Sequence, residues 1–156
     1  MKLQEHQPNL QGIIRGIPLF NGFQEFVLID NGGLDDVMEK NLKSPGFAVL
    51  IVAPQGYDLP GTHGKQKPGV GSVQVDYSST VWIRTNPKIK ADNDPSRPAW
   101  QALEMEQEIL EAVMQWSRGR ADLGFHLVPG AEPETDYTDK GNFSRLIRFG
   151  SRVLFK

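Results

Sequence analysis

The sequence predicts an α+β domain in which one long helix, at about 97–118, and two shorter helices pack on a mixed, largely antiparallel sheet. Helical and strand-like segments are interspersed in the order helix, strand, helix, strand, strand, helix, strand, strand. The 156 residues are enough to bury one core without metal ions or crosslinks. We therefore expect residues 1–156 to form a single domain.

The N-terminal part predicts a short helix followed by a strand. Residues 9–20 carry apolar side chains at helical spacing after Asn9, a possible cap, but they also contain two glycines and Pro18. This composition predicts a short, weak helix. A strand is expected at 23–29, and the Asp-Asn-Gly-Gly sequence at 30–33 predicts the turn that ends it.

A second helix and a buried strand follow this turn. Residues 34–42 have the spacing of one apolar helix face, with acidic residues near the start, where they suit the helix dipole. Residues 47–52, Phe-Ala-Val-Leu-Ile-Val, are continuously apolar. Such a run is typical of a central strand that is covered on both faces.

Two long strands are predicted at 73–86 and 143–155, because mostly apolar side chains occupy every second position in both segments. The first would measure about 46 Å at 3.3 Å per residue, which exceeds the usual strand length. Either the Ser78-Ser79 pair bulges or the strand projects beyond the domain. A short strand is expected near 124–128.

The most regular helix is predicted at 97–118, and Gly119 is a natural stop. Apolar positions recur at spacings of three and four, and most of the Gln and Glu residues lie on the other side. The apolar stripe consists of Ala99, Ala102, Leu103, Ile109, Leu110, Val113 and Trp116.

Three long loops are expected, at about 53–72, 87–97 and 129–141. The first contains five glycines and three prolines. A loop of this length in a compact domain usually serves a function.

Composition excludes several classes of protein. The net charge of −2 and the pI near 5.9 disfavour a general nucleic-acid binder, which is normally basic. The absence of cysteine excludes disulfides, thiolate zinc sites, iron–sulfur clusters and thiol nucleophiles. No apolar run has the length of a signal sequence or a membrane span, so we expect a soluble, intracellular protein without a membrane partner.

No catalytic, cofactor-binding or metal-binding residue is predicted. Gly64-Lys65 lacks the other residues of a phosphate-binding loop, and the histidines are scattered without a partner at metal-ligand spacing. One alternative remains open, because Asp58, His63 and Lys65 share the 53–72 loop and could serve a small enzyme.

Charged residues are segregated along the chain despite the small net charge. The predicted long helix carries an acidic run, whereas the closing strand carries only positive charges. Either these are solvated surfaces, or one surface meets a different surface on the next copy in a head-to-tail contact. The residues are Glu104, Glu106, Glu108 and Glu111; Arg145, Arg148, Arg152 and Lys156; and, in a second basic zone, Lys65, Lys67, Arg84, Lys88 and Lys90.

Two tryptophans have two possible roles. Trp82 lies on the polar face of its strand and Trp100 lies just off the apolar stripe, so each could anchor a protein contact or be buried by the same chain. The residues predicted to form a protein interface are Lys65, Lys67, Trp82, Arg84, Trp100, Glu104, Glu108, Glu111, Arg145, Arg148 and Arg152.

The order of elements resembles the tail terminator, or tail completion, family of long-tailed bacteriophages. The resemblance covers nearly the whole chain. It rests on the spacing of elements, on Val-Trp-Ile-Arg-Thr-Asn at 81–86 and Glu-Gln-Glu-Ile-Leu at 106–110, and on the arginine-bearing last strand.

The resemblance implies a structural virion protein without enzymatic activity, assembled in the host cytoplasm and located in the tail or neck. Its expected partners are other copies of itself in a ring, commonly a homohexamer, the tail tube protein, and the head–tail connector or a head-completion protein. The ring would end tube polymerisation and dock the tail to the head, with genome DNA passing through it and no sequence-specific nucleic-acid binding. Another neck or head-completion protein and a small bacterial adaptor anchored by a tryptophan remain alternatives.

Overall fold

A computed structural model describes residues 2–30, 32–53, 73–86, 88, 100–120, 124–128 and 143–155. The predicted loops lie outside these residues except for Ala53 and Lys88. Two 3-10 turns, Pro18–Phe20 and Gln24–Phe26, precede the first strand. The main elements are α1 (Leu3–Arg15), β1 (Val27–Asp30), α2 (Asp35–Lys43), β2 (Phe47–Val52), β3 (Val73–Thr85), α3 (Ala102–Ser117), β4 (His126–Leu127) and β5 (Phe143–Phe155).

The strands form one sheet in the order β1-β2-β3-β5-β4. β1 and β2 are parallel and are connected through α2, whereas every other neighbouring pair is antiparallel. The predicted α+β class with a mixed, largely antiparallel sheet is therefore confirmed.

β3 and β5 pair without interruption over 13 residues each. Ser78 and Ser79 lie opposite Gly150 and Phe149 in the regular register, so the predicted bulge is absent. β2 pairs only with the 80–85 part of β3, and no other described strand pairs with that edge of residues 73–79. β3 therefore extends beyond β2 but stays paired with β5 along its whole length, and projection of the strand beyond the domain stays a prediction.

The sheet lies between two layers of helices. On one face α1 and α3 form the main core with the sheet and with an aromatic cluster, whereas on the other face α2 packs on Ala48, Leu50 and Trp82. β2 is buried because both layers cover it, which explains its continuously apolar sequence. The main core includes Leu10, Ile14, Phe20, Val49, Ile51, Val81, Ile83, Met105, Ile109, Val113, Ile147 and Phe149.

The first helix differs from its prediction. It begins at Leu3 rather than near Asn9, and it continues through Pro8. A proline inside a helix removes one backbone hydrogen bond, but burial on the sheet outweighs that cost. The buried side chains follow one another four residues apart: His6, Leu10 and Ile14.

Two other boundaries and one assignment to the apolar stripe differ from the predictions. The strand expected at 23–29 begins at Val27 because the 3-10 turn comes first, and α3 begins at Ala102 because Trp100 and Gln101 precede it outside the helix. Leu103, assigned to the apolar stripe, is 59% exposed, and Met105 is buried in its place. Within the described residues, none of the helices has the length and apolar character needed to cross a membrane.

Candidate functional site

The outer surface of α3 is acidic. Glu104 and Glu111 are exposed and Glu108 is half-buried, and the described helix contains no basic residue. The Gln107 amide donates a hydrogen bond to a carboxylate oxygen of Glu111 over 3.1 Å. These three glutamates therefore form the acidic surface that the sequence predicted.

Glu106 differs from the other glutamates because it points toward the sheet. Nε of Arg145 donates to Oε2 of Glu106 over 2.6 Å, and an Nη2–H donates to Oε1 over 3.2 Å. The side chains of Arg145 and Glu106 are only 19% and 12% exposed. This ion pair ties β5 to α3 and leaves Arg145 little exposed surface, and its predicted place in a protein interface stays a prediction.

Arg148 and Arg152 lie on the opposite face of the sheet from α3. They alternate along β5 with Ile147, Phe149 and Val153, which are buried on the α3 side. Both arginines are exposed, and Nε of Arg152 lies 4.0 Å from a carboxylate oxygen of Asp76. Arg148 forms no ion pair within the described part of the chain. The acidic and basic surfaces therefore lie on different layers.

Trp82 and Arg84 lie beneath or beside α2. Trp82 packs with Met38, Leu42 and Leu50 and is half-buried. Arg84 is 9% exposed, its Nη1 donates to the Met38 sulfur over 3.0 Å, and its guanidinium lies 5.3 Å from the Trp82 ring centroid. Burial in its own chain leaves Arg84 little surface for a partner, and its predicted interface role stays a prediction.

Trp100 is buried at the centre of an aromatic cluster. Its ring centroid lies 4.3 Å from that of Phe47, 5.1 Å from that of Phe23 and 6.3 Å from that of Phe20. The side chain is 8% exposed. Of its two alternatives, burial by the same chain is the one observed, and Trp100 offers no surface to a partner.

The other predicted functional residues cannot be placed. Lys65 and Lys67, predicted at the interface, lie outside the described residues, as do Asp58 and His63 of the enzyme alternative. In the part of the chain that the structure describes, no group of three acidic or histidine side chains could hold a metal ion.

A groove of about 600 Å³ lies between the C-terminal end of α1, with the residues that follow it, and the C-terminal half of α3. Its floor is apolar, and Glu108, Glu111 and Gln115 give it a polar, acidic rim. Apart from the backbone of α1 itself and the two neighbours of Gly12, no heavy atom of the described residues lies within 4 Å of the position that a Cβ at Gly12 would occupy, so these residues leave the groove open there. The apolar and small lining residues are Gly12, Ile13, Gly16, Ile17, Pro18, Ala112 and Trp116.

No protein-family model and no curated protein matches this chain. The candidate site is therefore defined by its geometry alone. It consists of an acid-rimmed groove between α1 and α3 and of exposed arginines on the opposite face of the sheet. The sequence did not predict that α1 contributes to this site. The available signal was the pair of glycines four residues apart on one helix face, Gly12 and Gly16.

His6 is a further group that the sequence did not single out. It is fully buried, with Nδ1 hydrogen-bonded to the Ser79 hydroxyl over 2.8 Å and the ring packed edge-on against Tyr77 and Phe125. Burial lowers the pKa of His6 from 6.5 to about 4, with smaller contributions from the charges of His126 and the N-terminus. A backbone hydrogen bond with Tyr77 acts in the opposite direction.

We expect His6 to make folding stability depend on pH. Below pH 6.5 the unfolded chain binds a proton at His6 that the folded chain does not bind until about pH 4. The free energy of unfolding should therefore fall from pH 6.5 to pH 4, by about 3 kcal/mol from this residue. Urea unfolding of the native chain and of His6→Gln across this range measures the effect. Equal pH dependence in the two proteins would contradict it.

Proposed function

We propose that this chain is a tail terminator, the subunit of a ring on the head-proximal end of a bacteriophage tail tube. The ring stops growth of the tube and offers a docking surface to the head or its connector. The order α1, β1, α2, β2, β3, α3, β5 supports this proposal, because it is the order on which the family resemblance rests.

The proposal of a ring rests on the placement of opposite charges on two separate surfaces. Glu104, Glu108 and Glu111 lie on the outer surface of α3, whereas Arg148 and Arg152 lie on the opposite face of the sheet. The sheet separates the two surfaces, so they cannot neutralise each other within one chain. A second copy in the same orientation can pair them.

A contact between two different surfaces is heterologous, and repetition of such a contact closes a ring when the rotation per copy allows it. Opposite charges on the two surfaces would steer the encounter and fix the register. The strands β3 and β5 add a long ribbon, which extends beyond β2 and is available to the tube or to a neighbouring copy.

Purification with virion parts tests the assignment. We expect the chain to sediment with completed tails, because a terminator stays on the tube that it has capped. Tails and DNA-filled heads can be separated on a density gradient and probed for the chain. Recovery with filled heads and not with tails would contradict the terminator assignment and favour a head-completion protein.

A further inference from the structure

The face of the sheet opposite α3 carries a third basic side chain between the two arginines of β5. His126 on β4 lies directly opposite Gly150, which lies midway between Arg148 and Arg152 on the same face. A Cβ built on Gly150 would lie only 2.7 Å from Nε2 of His126, so the imidazole covers this glycine. All three basic side chains are exposed. We call Arg148, His126 and Arg152 the cationic row.

The cationic row matches the acidic surface of α3 in length. Its two arginines are four strand residues apart, which is about 13 Å, and the imidazole lies over the midpoint. Glu104 and Glu111 are seven helical residues apart, which is about 10 Å, and Glu108 lies between them on the same stripe of the helix. Each surface therefore presents three charged side chains along one line, and flexible arginine side chains can span the small difference in length.

We propose that the cationic row receives the acidic surface of α3 from a second copy of this chain, with His126 opposite Glu108. The inference rests on the proposed ring and assigns the central pair of its contact. The middle of one line meets the middle of the other whichever way α3 runs along β5. The pair of His126 with Glu108 is therefore the same for both directions, and the outer glutamates meet the arginines.

Charge complementarity identifies the second copy as the occupant. Within its own chain, Asp76 lies beside one end of the row, with a carboxylate oxygen 4.0 Å from Nε of Arg152. The acidic surface contains no basic residue of α3, and the sheet separates it from the row. Because each copy carries one row and one acidic surface, every copy can give and receive one contact.

His126 makes this contact depend on pH, because histidine gains a proton near neutral pH while the arginines stay charged. The other ionisable groups around the imidazole are the two arginines on β5, Asp76 on β3, and His6, which interacts with the charge of His126 from the other face of the sheet. Among the described residues, no ion pair joins His126 to a carboxylate. A carboxylate from a second copy would therefore favour the protonated imidazole, and association should strengthen as the pH falls.

Ring assembly as a function of pH tests this pair. Association is measured by analytical ultracentrifugation and by co-sedimentation with tail tubes at pH 8 and pH 6, where His6, whose pKa burial lowers to about 4, stays neutral. We expect the native chain to associate about tenfold more tightly at pH 6. His126→Gln should abolish this rise and leave the unfolding midpoint unchanged, because the side chain is exposed.

Three further variants locate the proton-dependent pair. His63→Gln makes the same change at another histidine of the chain and should keep the tenfold rise. Glu108→Gln should abolish the rise, because it removes the proposed carboxylate partner of His126. Glu104→Gln removes a charge at one end of the acidic surface, so it should weaken association at both pH values and keep the rise.

The outcomes separate this contact from the function. Rings that form equally well at both pH values, or a rise that survives His126→Gln or Glu108→Gln, would overturn the contact and leave the terminator proposal standing. A chain that stays monomeric at both pH values, and does not bind tail tubes, would refute both. A rise that depends on His126 and Glu108, from a chain that never stops tube growth, would support the contact and refute the terminator.

Discussion

Replacing Glu106 with alanine is expected to lower the free energy of unfolding by about 3 kcal/mol. The change leaves the Arg145 guanidinium without its bidentate carboxylate in a site where its side chain is only 19% exposed. Loss of a carboxylate partner from such a largely buried ion pair is among the more destabilising changes that a single substitution can make. Urea unfolding at neutral pH measures the loss.

Two control variants test whether the ion pair is the cause of this loss of stability. Glu104→Ala removes an exposed glutamate from the same helix and should change stability by less than about 0.5 kcal/mol. Glu106→Leu combined with Arg145→Met removes both charges and should restore stability to within about 1 kcal/mol of the native chain. If Glu106→Ala and Glu104→Ala had equal effects, the ion pair would have no structural role.

Reversing the charge of Arg148 is expected to abolish ring assembly. Arg148→Glu would place like charges opposite each other at the proposed contact, which costs several kcal/mol and weakens association about a hundredfold or more. Glu108→Arg with Glu111→Arg should have the same effect from the other side. Light scattering and negative-stain microscopy, with and without tail tubes, measure the assembly.

The combined variant is the decisive control for this second prediction. Arg148→Glu together with Glu108→Arg and Glu111→Arg restores opposite charges across the contact, so rings should return. Lys40→Glu makes the same charge change as Arg148→Glu at an exposed position on α2 and should leave assembly intact. Loss of rings in the Lys40 variant would mean that net charge, and not this contact, controls assembly.

The strands could be predicted from the sequence because their environments leave simple patterns. β2 is apolar throughout because helices cover both of its faces. β5 alternates at 147–149 and 151–153, where the side chains on the α3 side are buried and the arginines on the other side are exposed. α1 could not be placed correctly, since a proline and a glycine oppose the helix locally and only burial of His6, Leu10 and Ile14 on the sheet sustains it.

The site was predicted less well, because one-dimensional charge runs mix buried and exposed residues. Arg145 and Arg148 look alike in a basic strand, but only Arg145 shares the face of Ile147 and Phe149. Glu106 lies three residues before Ile109 and seven before Val113, which places it on the buried side of α3. The spacings that distinguish these residues could be read from the sequence. The groove could not be predicted, because it depends on the relative placement of α1 and α3.

The length of tail tubes tests the central claim most directly. Tail tube protein encoded in the same genome is polymerised with and without this chain, and the tubes are measured by negative-stain microscopy. We predict a ring at one end of each tube and arrested growth from that end. Tubes that grow equally long in both samples, with no ring and a monomeric chain in solution, would contradict the proposed function.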